Sequence, residues 1–137
     1  MVEPYNKDRS FGLSAIGQIA LPVRDLRRAV AYYRELLRVP FLFEAPPGLA
    51  FFDCAGIRLM LDTTTAQKTA SGGSILYYRV EDIAFAYNTL KSRGIEFEDA
   101  PHLIHKFPDH ELWMCFFRDS EGNNLALMSE IRQGRAS

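Results

Sequence analysis

The chain has 137 residues and a formal net charge of -1 at pH 7, from 16 Lys and Arg residues against 17 Asp and Glu residues. A balance of this kind lacks the basic surface that binds nucleic acid or an anionic membrane, so neither is an expected partner. Apolar residues make up 47% of the sequence, enough to build a core in one domain, and no apolar run approaches the ~18 residues of a membrane span.

The first half of the chain predicts a strand, a helix and three further strands. Residues 1–13 are polar, lack the apolar run of a signal peptide and are expected to form a flexible tail. A strand is predicted from Ile16 to Val23, and Asp25 then caps a helix whose apolar side chains recur at helical spacing. Pro40 is expected to end that helix, because the residue before a proline disfavours helical geometry. The three strands that follow are predicted over 41–44, 49–53 and 57–61.

The second half predicts the same series of elements after a polar linker at 63–73. A strand over 75–80 leads to a helix that Asp82 caps and that Gly94 ends. Three strands are predicted over 96–99, 112–117 and 124–128, followed by a second flexible tail at 130–137. The expected organisation is one domain over 14–129, made of two modules at 14–62 and 74–129.

The two modules share sequence as well as element order. "QIALPVRDLRRAVAYY" matches "ILYYRVEDIAFAYNTL", and "AFFDCAGIRLML" matches "CFFRDSEGNNLALM". The period of about sixty residues is longer than a solenoid repeat, so a duplicated βαβββ module is the better interpretation. The prediction is an α+β fold with two equivalent halves.

Strand alternation divides each predicted sheet into two faces. One face is large and apolar and should contact the helices; it holds Ile19, Leu21, Leu59, Leu61, Leu76, Tyr78, Leu125 and Leu127. The other face mixes small, polar and charged side chains and is either solvent surface or the wall of a binding cleft. It holds Gln18, Ala20, Arg58, Met60, Asp62, Ile75, Tyr77, Arg79, Asn124, Ala126, Met128 and Glu130.

The doubled module resembles the vicinal oxygen chelate superfamily, the group of glyoxalase I, extradiol dioxygenases and bleomycin-resistance proteins. The resemblance covers about 14–128. It is carried by V-x-D-[L/I] at both helix starts and D-x-x-G-N-x-[L/I] before the last strand; these motifs stand at 23–26, 80–83 and 119–125. It implies a cupped mixed sheet around a cleft and, often, a homodimer.

Enzymes of this superfamily hold a divalent metal with one side chain from each of four strands of the cup. Carried over by position, those places are taken here by Gln18, Met60, Ile75 and Ala126. One neutral amide and one thioether do not replace the several oxygen or nitrogen donors, and the negative charge, that a hard cation requires. We therefore expect no metal and no cofactor at this site.

The same face offers groups for binding a small organic ligand. Arg58 and Arg79 match the geometry of an anion, although solvated arginines or pairs with Asp62 or Glu130 would look the same in sequence. An aromatic wall is the role expected of Tyr77 and Trp113, with the core as an equal alternative for Trp113. The predicted ligand-binding set is Gln18, Arg58, Met60, Ile75, Tyr77, Trp113, Ala126 and Met128.

The histidines and cysteines give weaker signals. His102, His105 and His110 follow no recognised zinc spacing and are interpreted as polar residues of a hairpin, with a separate metal site as the alternative. Cys54 and Cys115 lie in apolar runs without a CxxC partner, which favours reduced thiols in a cytoplasmic protein.

These observations favour a metal-free protein that binds a small organic molecule in its cup. The two arginines extend this prediction to an anionic ligand. The first alternative is a metal-dependent lyase or dioxygenase of the glyoxalase type with an unusual ligand set. The second is an interaction module whose cup is vestigial. The sequence does not identify the ligand.

Overall fold

The structure is a computed structural model that describes residues 14–64 and 74–132. In this part of the chain, each half contributes one helix and four strands. The strands are β1 Gln18–Pro22, β2 Phe41–Ala45, β3 Leu49–Cys54, β4 Ile57–Asp62, β5 Leu76–Arg79, β6 His102–Lys106, β7 His110–Arg118 and β8 Asn124–Arg132. The helices are α1 Leu26–Ala31, continued by a π-helical turn Tyr32–Leu36, and α2 Ile83–Ser92.

The two halves have the same sheet topology, as the sequence repeat predicts. The strand order is β1-β4-β3-β2 in the first sheet and β5-β8-β7-β6 in the second. In each sheet the strand before the helix runs parallel to the last strand, and the other neighbours are antiparallel. The helix supplies the crossover that a parallel pair of strands requires, so each half is a βαβββ module.

Both helices begin at the predicted aspartates. The Asp25 carboxylate accepts the Arg28 backbone N–H at 3.1 Å, and Asp82 accepts that of Phe85 at 3.0 Å. Each aspartate has extended backbone geometry, as an N-cap should. The equivalent caps fix the two helices at matching places in the two modules.

The helices end differently from one another. Gly94 has a φ of +100° and ends α2 in the left-handed conformation that glycine tolerates, as predicted. The first helix stops before Pro40, because Arg38 takes the left-handed conformation with a φ of +58°. The Val39 N–H then donates to the Tyr33 carbonyl at 2.9 Å, which turns the chain toward β2.

The prediction of a strand over 96–99 is wrong. Only Phe97 makes a bridge there, and the second strand of the module is β6, six residues later. The Asp99 carboxylate accepts the Phe116 N–H at 2.8 Å, so a side chain takes the place of a strand partner at this point. The last strand also continues to Arg132, beyond the predicted domain boundary at 129.

The core lies between the helices and the apolar face of each sheet. Its largest fully buried side chains are Tyr33, Phe52 and Phe117, joined by the leucines that alternation placed on this face. Hydrogen bonds cross between the modules at the turn from β7 to β8, where the Glu121 carboxylate accepts the N–H groups of Arg24 and Asp25. One core and these bonds join the two halves.

Most of the predicted linker, except Thr63 and Thr64, lies outside the described residues, as do the tails at 1–13 and 133–137. Neither helix of the described ranges is long and apolar enough to cross a membrane.

Candidate functional site

Each sheet presents one face away from the helices, and we call these two surfaces together the cup face. Strand register brings side chains from all the strands of both sheets to it. They include Gln18, Ala20, Phe43, Phe51, Arg58 and Met60 in the first sheet, and Tyr77, Arg79, Met114, Phe116, Ala126 and Met128 in the second. The predicted division of the sheets into faces is therefore correct at the positions that can be compared.

The Gln18 side chain contacts Met60, another of the predicted ligand-binding residues. β1 and β4 are parallel, with Gln18 opposite Arg58 and Ala20 opposite Met60. The Gln18 amide nitrogen lies 3.9 Å from the Met60 sulfur, a weak contact with a thioether acceptor. Since Gln18 is exposed, its amide keeps hydrogen-bonding capacity for a ligand or for water.

An aromatic platform lies beside this pair in the first sheet. The rings of Phe43 and Phe51 stack with centroids 4.8 Å apart, and the Arg58 guanidinium lies 5.8 Å above the Phe51 ring. Phe43 is 48% exposed, so part of the platform is open to a ligand. Arg58 is also exposed and makes no ion pair within the described ranges, which leaves its charge available.

A second aromatic pair covers the centre of the other sheet. Tyr77, Ala126 and Phe116 lie side by side on three neighbouring strands. The two rings meet edge to face with centroids 6.1 Å apart, and Ala126 is fully buried between their strands. A small residue at this position gives the rings room to approach each other. The Tyr77 side chain remains 45% exposed.

The four positions of the superfamily's metal site do not fit a divalent metal. Gln18 and Met60 supply the amide and the thioether, while Ile75, which precedes β5, and Ala126 supply no donor. No cluster of three or more His, Cys, Asp or Glu side chains that could hold a metal occurs in the described part of the chain. The donors are too few and too soft for a hard cation.

Trp113 is separated from the other predicted ligand-binding residues. It lies opposite Leu103 and Ser129, on the face that also carries Cys115 and Phe117. It packs against the core, and its indole N–H donates to the Glu111 carboxylate at 3.0 Å. This is the core alternative that the sequence left open. Met128, by contrast, lies on the cup face opposite Met114.

Four residues of the cup face were not predicted from the sequence: Phe43, Phe51, Met114 and Phe116. A signal was present for two of them, because the chain carries the pairs Phe51–Phe52 and Phe116–Phe117 within strands. Adjacent residues of a strand point to opposite faces, so one phenylalanine of each pair must face the cup. Phe43 required knowledge of the bulge between β2 and β3.

The three histidines lie on the hairpin formed by β6 and β7, as predicted. His102 is 3.6 Å from the Asp99 carboxylate, His105 contacts the Phe107 ring, and His110 bonds Asp109 at 2.8 Å. The hydrogen bond from His110 holds the pKa of Asp109 below its usual value. The Phe107 ring contacts both His105 and His110, and the three imidazoles belong to no group of His, Cys, Asp and Glu in the described ranges that could hold a metal.

Both cysteines are free and neither has the environment of a reactive thiolate. Burial raises the pKa of Cys54 above its usual value and raises that of Cys115 to about 11. A buried thiol that stays protonated is a poor nucleophile.

The comparisons with known proteins define the family. The model of the Glyoxalase/Bleomycin resistance protein/Dioxygenase superfamily matches residues 15–127, and the chain belongs to that superfamily. The uncharacterized protein YraH of Bacillus subtilis (strain 168) is 25% identical over 126 residues, which cover 80% of this chain and 94% of that protein.

Solved structures share the fold at lower identity. Lactoylglutathione lyase from Agrobacterium tumefaciens has a TM-score of 0.68 and 23% identity, covering 85% of this chain and 94% of that one. A superfamily member from Sphaerobacter thermophilus has a TM-score of 0.72 and 20% identity, covering 86% and 98%. TnmS3, an antibiotic binding protein from Streptomyces sp. CB03234, has a TM-score of 0.70 and 22% identity, covering 88% and 98%. The chain therefore has the glyoxalase-like fold.

Proposed function

We propose that this protein binds a small, flat organic molecule on the cup face without a metal. The observation that carries the proposal is the presence of two aromatic pairs, Phe43 with Phe51 and Tyr77 with Phe116, on the cup face. Exposed aromatic rings favour planar apolar ligands through stacking and burial. Arg58 gives the site a preference for an anionic substituent.

The absence of a suitable donor set supports binding over catalysis of the glyoxalase type. TnmS3 shows that the fold occurs in an antibiotic binding protein, and the lyase from Agrobacterium tumefaciens shows that it also occurs in an enzyme. The residues of this chain favour binding, because Gln18, Met60, Ile75 and Ala126 include no carboxylate to act as a base or to balance a metal charge.

The ligand test uses 2-naphthoate and its uncharged analogue 2-naphthylmethanol, with affinity measured by calorimetry. We expect Arg58→Met to weaken 2-naphthoate binding about tenfold, the usual effect of losing one charge-assisted hydrogen bond, and to leave the alcohol unchanged. Tyr77→Ala should weaken both. Arg27→Met is the matched control, because Arg27 is an exposed arginine of α1 away from the cup. Equal effects of the Arg58 and Arg27 substitutions would refute the anion preference.

The metal test is elemental analysis of protein dialysed against zinc, nickel or manganese. We expect no stoichiometric metal, either in the natural protein or in Gln18→Ala. About one metal per chain in the natural protein, lost in Gln18→Ala, would defeat the metal-free proposal and favour the lyase or dioxygenase alternative.

We also propose a homodimer, and a cytoplasmic location in keeping with the two free cysteines. The dimer is supported by β6, an edge strand whose five residues are all exposed, including Leu103 at 45% and Ile104 at 43%. An open apolar edge gains from being paired or covered. Light scattering should give a dimer at micromolar concentration and a monomer for Ile104→Lys, whereas a monomeric natural protein would contradict the proposal.

A further inference from the structure

A cleft of about 560 Å³ lies on the opposite side of the second sheet from the cup face. It opens between α2, the apolar face of the sheet and the segment after the first helix. Its walls include Leu37, Val39, Leu90, Phe117 and Leu127. A volume of this size with mostly apolar walls is typical of a site for a small molecule. Arg79 of β5 also lines the cleft, although strand register places it on the cup face; the other sheet residues named here belong to the apolar face.

The duplication explains why the space is open. Tyr33 stands eight residues after the cap Asp25, is fully buried and fills the corresponding space in the first module. Leu90 stands eight residues after the cap Asp82 and is only partly buried. A leucine is smaller than a tyrosine, so the second helix leaves unfilled the volume that the first module fills with a ring.

The cleft has a cation at one end. Arg93 follows α2, is half-buried and donates one N–H to the Leu36 carbonyl at 2.8 Å. It has no carboxylate within 4.0 Å among the residues that the structure describes. A guanidinium has five N–H donors, so most of its capacity for binding an anion is left over.

The other end of the cleft has a different character. Arg79, Glu81 and Asp82 lie there, and α2 separates Asp82 from Arg93 by about 15 Å. Asp82 is occupied as the helix cap, while Phe85 lines the cleft with 69% of its side chain exposed. A large exposed ring at the mouth of an apolar cleft extends the surface available to a ligand.

We infer that this cleft is a second small-molecule site that binds an amphipathic monocarboxylate. The carboxylate pairs with Arg93, and the apolar body follows α2 toward Phe85. The orientation follows from Arg93, whose guanidinium keeps free donors for a carboxylate. At the opposite end Arg79 and Glu81 carry opposite charges, and Asp82 is already used as the helix cap. The site does not depend on the cup and does not require the proposed function.

The test compares two ligands with one apolar chain and different heads, decanoate and decanol. We expect saturable binding of decanoate with a Kd below about 1 mM and at least tenfold weaker binding of decanol. Backbone amide shifts in the NMR spectrum should map to α2 and to the strands beneath it. Shifts confined to the cup strands, or equal affinity for the two ligands, would overturn the inference.

Two variants test the residues. Arg93→Met should remove the preference for decanoate over decanol and leave decanol binding unchanged, while Arg27→Met at an exposed position of α1 should alter neither. Leu90→Tyr copies the first module and should abolish binding by filling the cleft. If Leu90→Tyr does not fold, Arg93→Met decides alone, since an unchanged preference for decanoate in that variant refutes the role of Arg93 and the site with it.

Discussion

Asp119 is the residue that organises the turn between the last two strands. Its buried carboxylate accepts the Tyr33 hydroxyl at 2.6 Å, the Asn123 side-chain amide at 3.0 Å, and the backbone N–H groups of Glu121 and Asn123, both at 2.8 Å. Four donors around one carboxylate satisfy a charge that would otherwise be costly to bury. Asp119 therefore stabilises the fold.

The rest of the D-x-x-G-N motif has the same purpose. Gly122 has a φ of +85°, which a residue with a side chain rarely adopts. The Asn123 amide also donates to the Pro22 carbonyl at 3.2 Å, across the boundary between the modules. The residues of this motif therefore stabilise the turn and the boundary between the modules, and the motif does not indicate a catalytic activity.

At this scale we predict the effect of removing one hydroxyl. Tyr33→Phe should lower the free energy of unfolding by about 1–3 kcal/mol, because a buried carboxylate loses a short hydrogen bond. Tyr32→Phe is the matched control. Its hydroxyl bonds the Arg118 carbonyl at 3.0 Å in a more open setting, so about 0.5–1 kcal/mol is expected. Urea unfolding measures both, and equal losses would contradict the role given to Asp119.

Among the helices and strands, the features that depend on neighbouring residues of the chain could be predicted from the sequence. Alternation placed Leu59 and Leu125 in the core, and the two aspartates located both helix starts. The second strand of the second module was predicted over 96–99 instead of at β6. The hydrogen bond from the Phe116 N–H to the Asp99 carboxylate, which stands at that place in the structure, joins residues distant in the chain and cannot be read from a local pattern. Cup membership of Trp113 likewise depended on register, which no single segment encodes.

The two helix caps give a prediction that uses the duplication as its own control. Asp25→Ala and Asp82→Ala should each lower the free energy of unfolding by about 1 kcal/mol, because each removes one hydrogen bond to a free N–H at a helix start. Urea unfolding of the two variants should give losses within a few tenths of a kcal/mol of each other. A large loss for one and none for the other would mean that the modules are not equivalent at this position.

At the scale of the whole molecule, Glu121 joins the halves. Its two carboxylate oxygens accept the N–H groups of Arg24 and Asp25 at 2.8 and 2.9 Å. We predict that Glu121→Ala lowers the free energy of unfolding by about 2 kcal/mol, and that Glu121→Gln, which keeps one acceptor oxygen, costs about half as much. Glu96→Ala, at an exposed site, should be neutral. A loss no greater than that of Glu96→Ala would show that the modules are held by their core alone.

Buried acidic groups make the stability of the whole molecule sensitive to alkaline pH. Burial raises the pKa of Tyr32, Tyr33 and Tyr78 above their usual value, and raises that of Cys115 from 9.0 to about 11. The unfolded chain therefore loses these protons at lower pH than the folded chain does. The free energy of unfolding should keep its full value below about pH 9 and should fall as the pH rises toward 11 and beyond.

Urea unfolding between pH 7 and pH 10.5 measures this loss. Cys115→Ala removes the thiol, so its stability should decline less steeply between pH 9 and pH 10.5 than that of the natural protein, whatever the substitution costs at pH 7. The comparison of slopes separates the ionisation of the thiol from the loss of its packing. A natural protein whose stability stays level through pH 10.5 would contradict the burial of these groups, and with it the packing of both helices on their sheets.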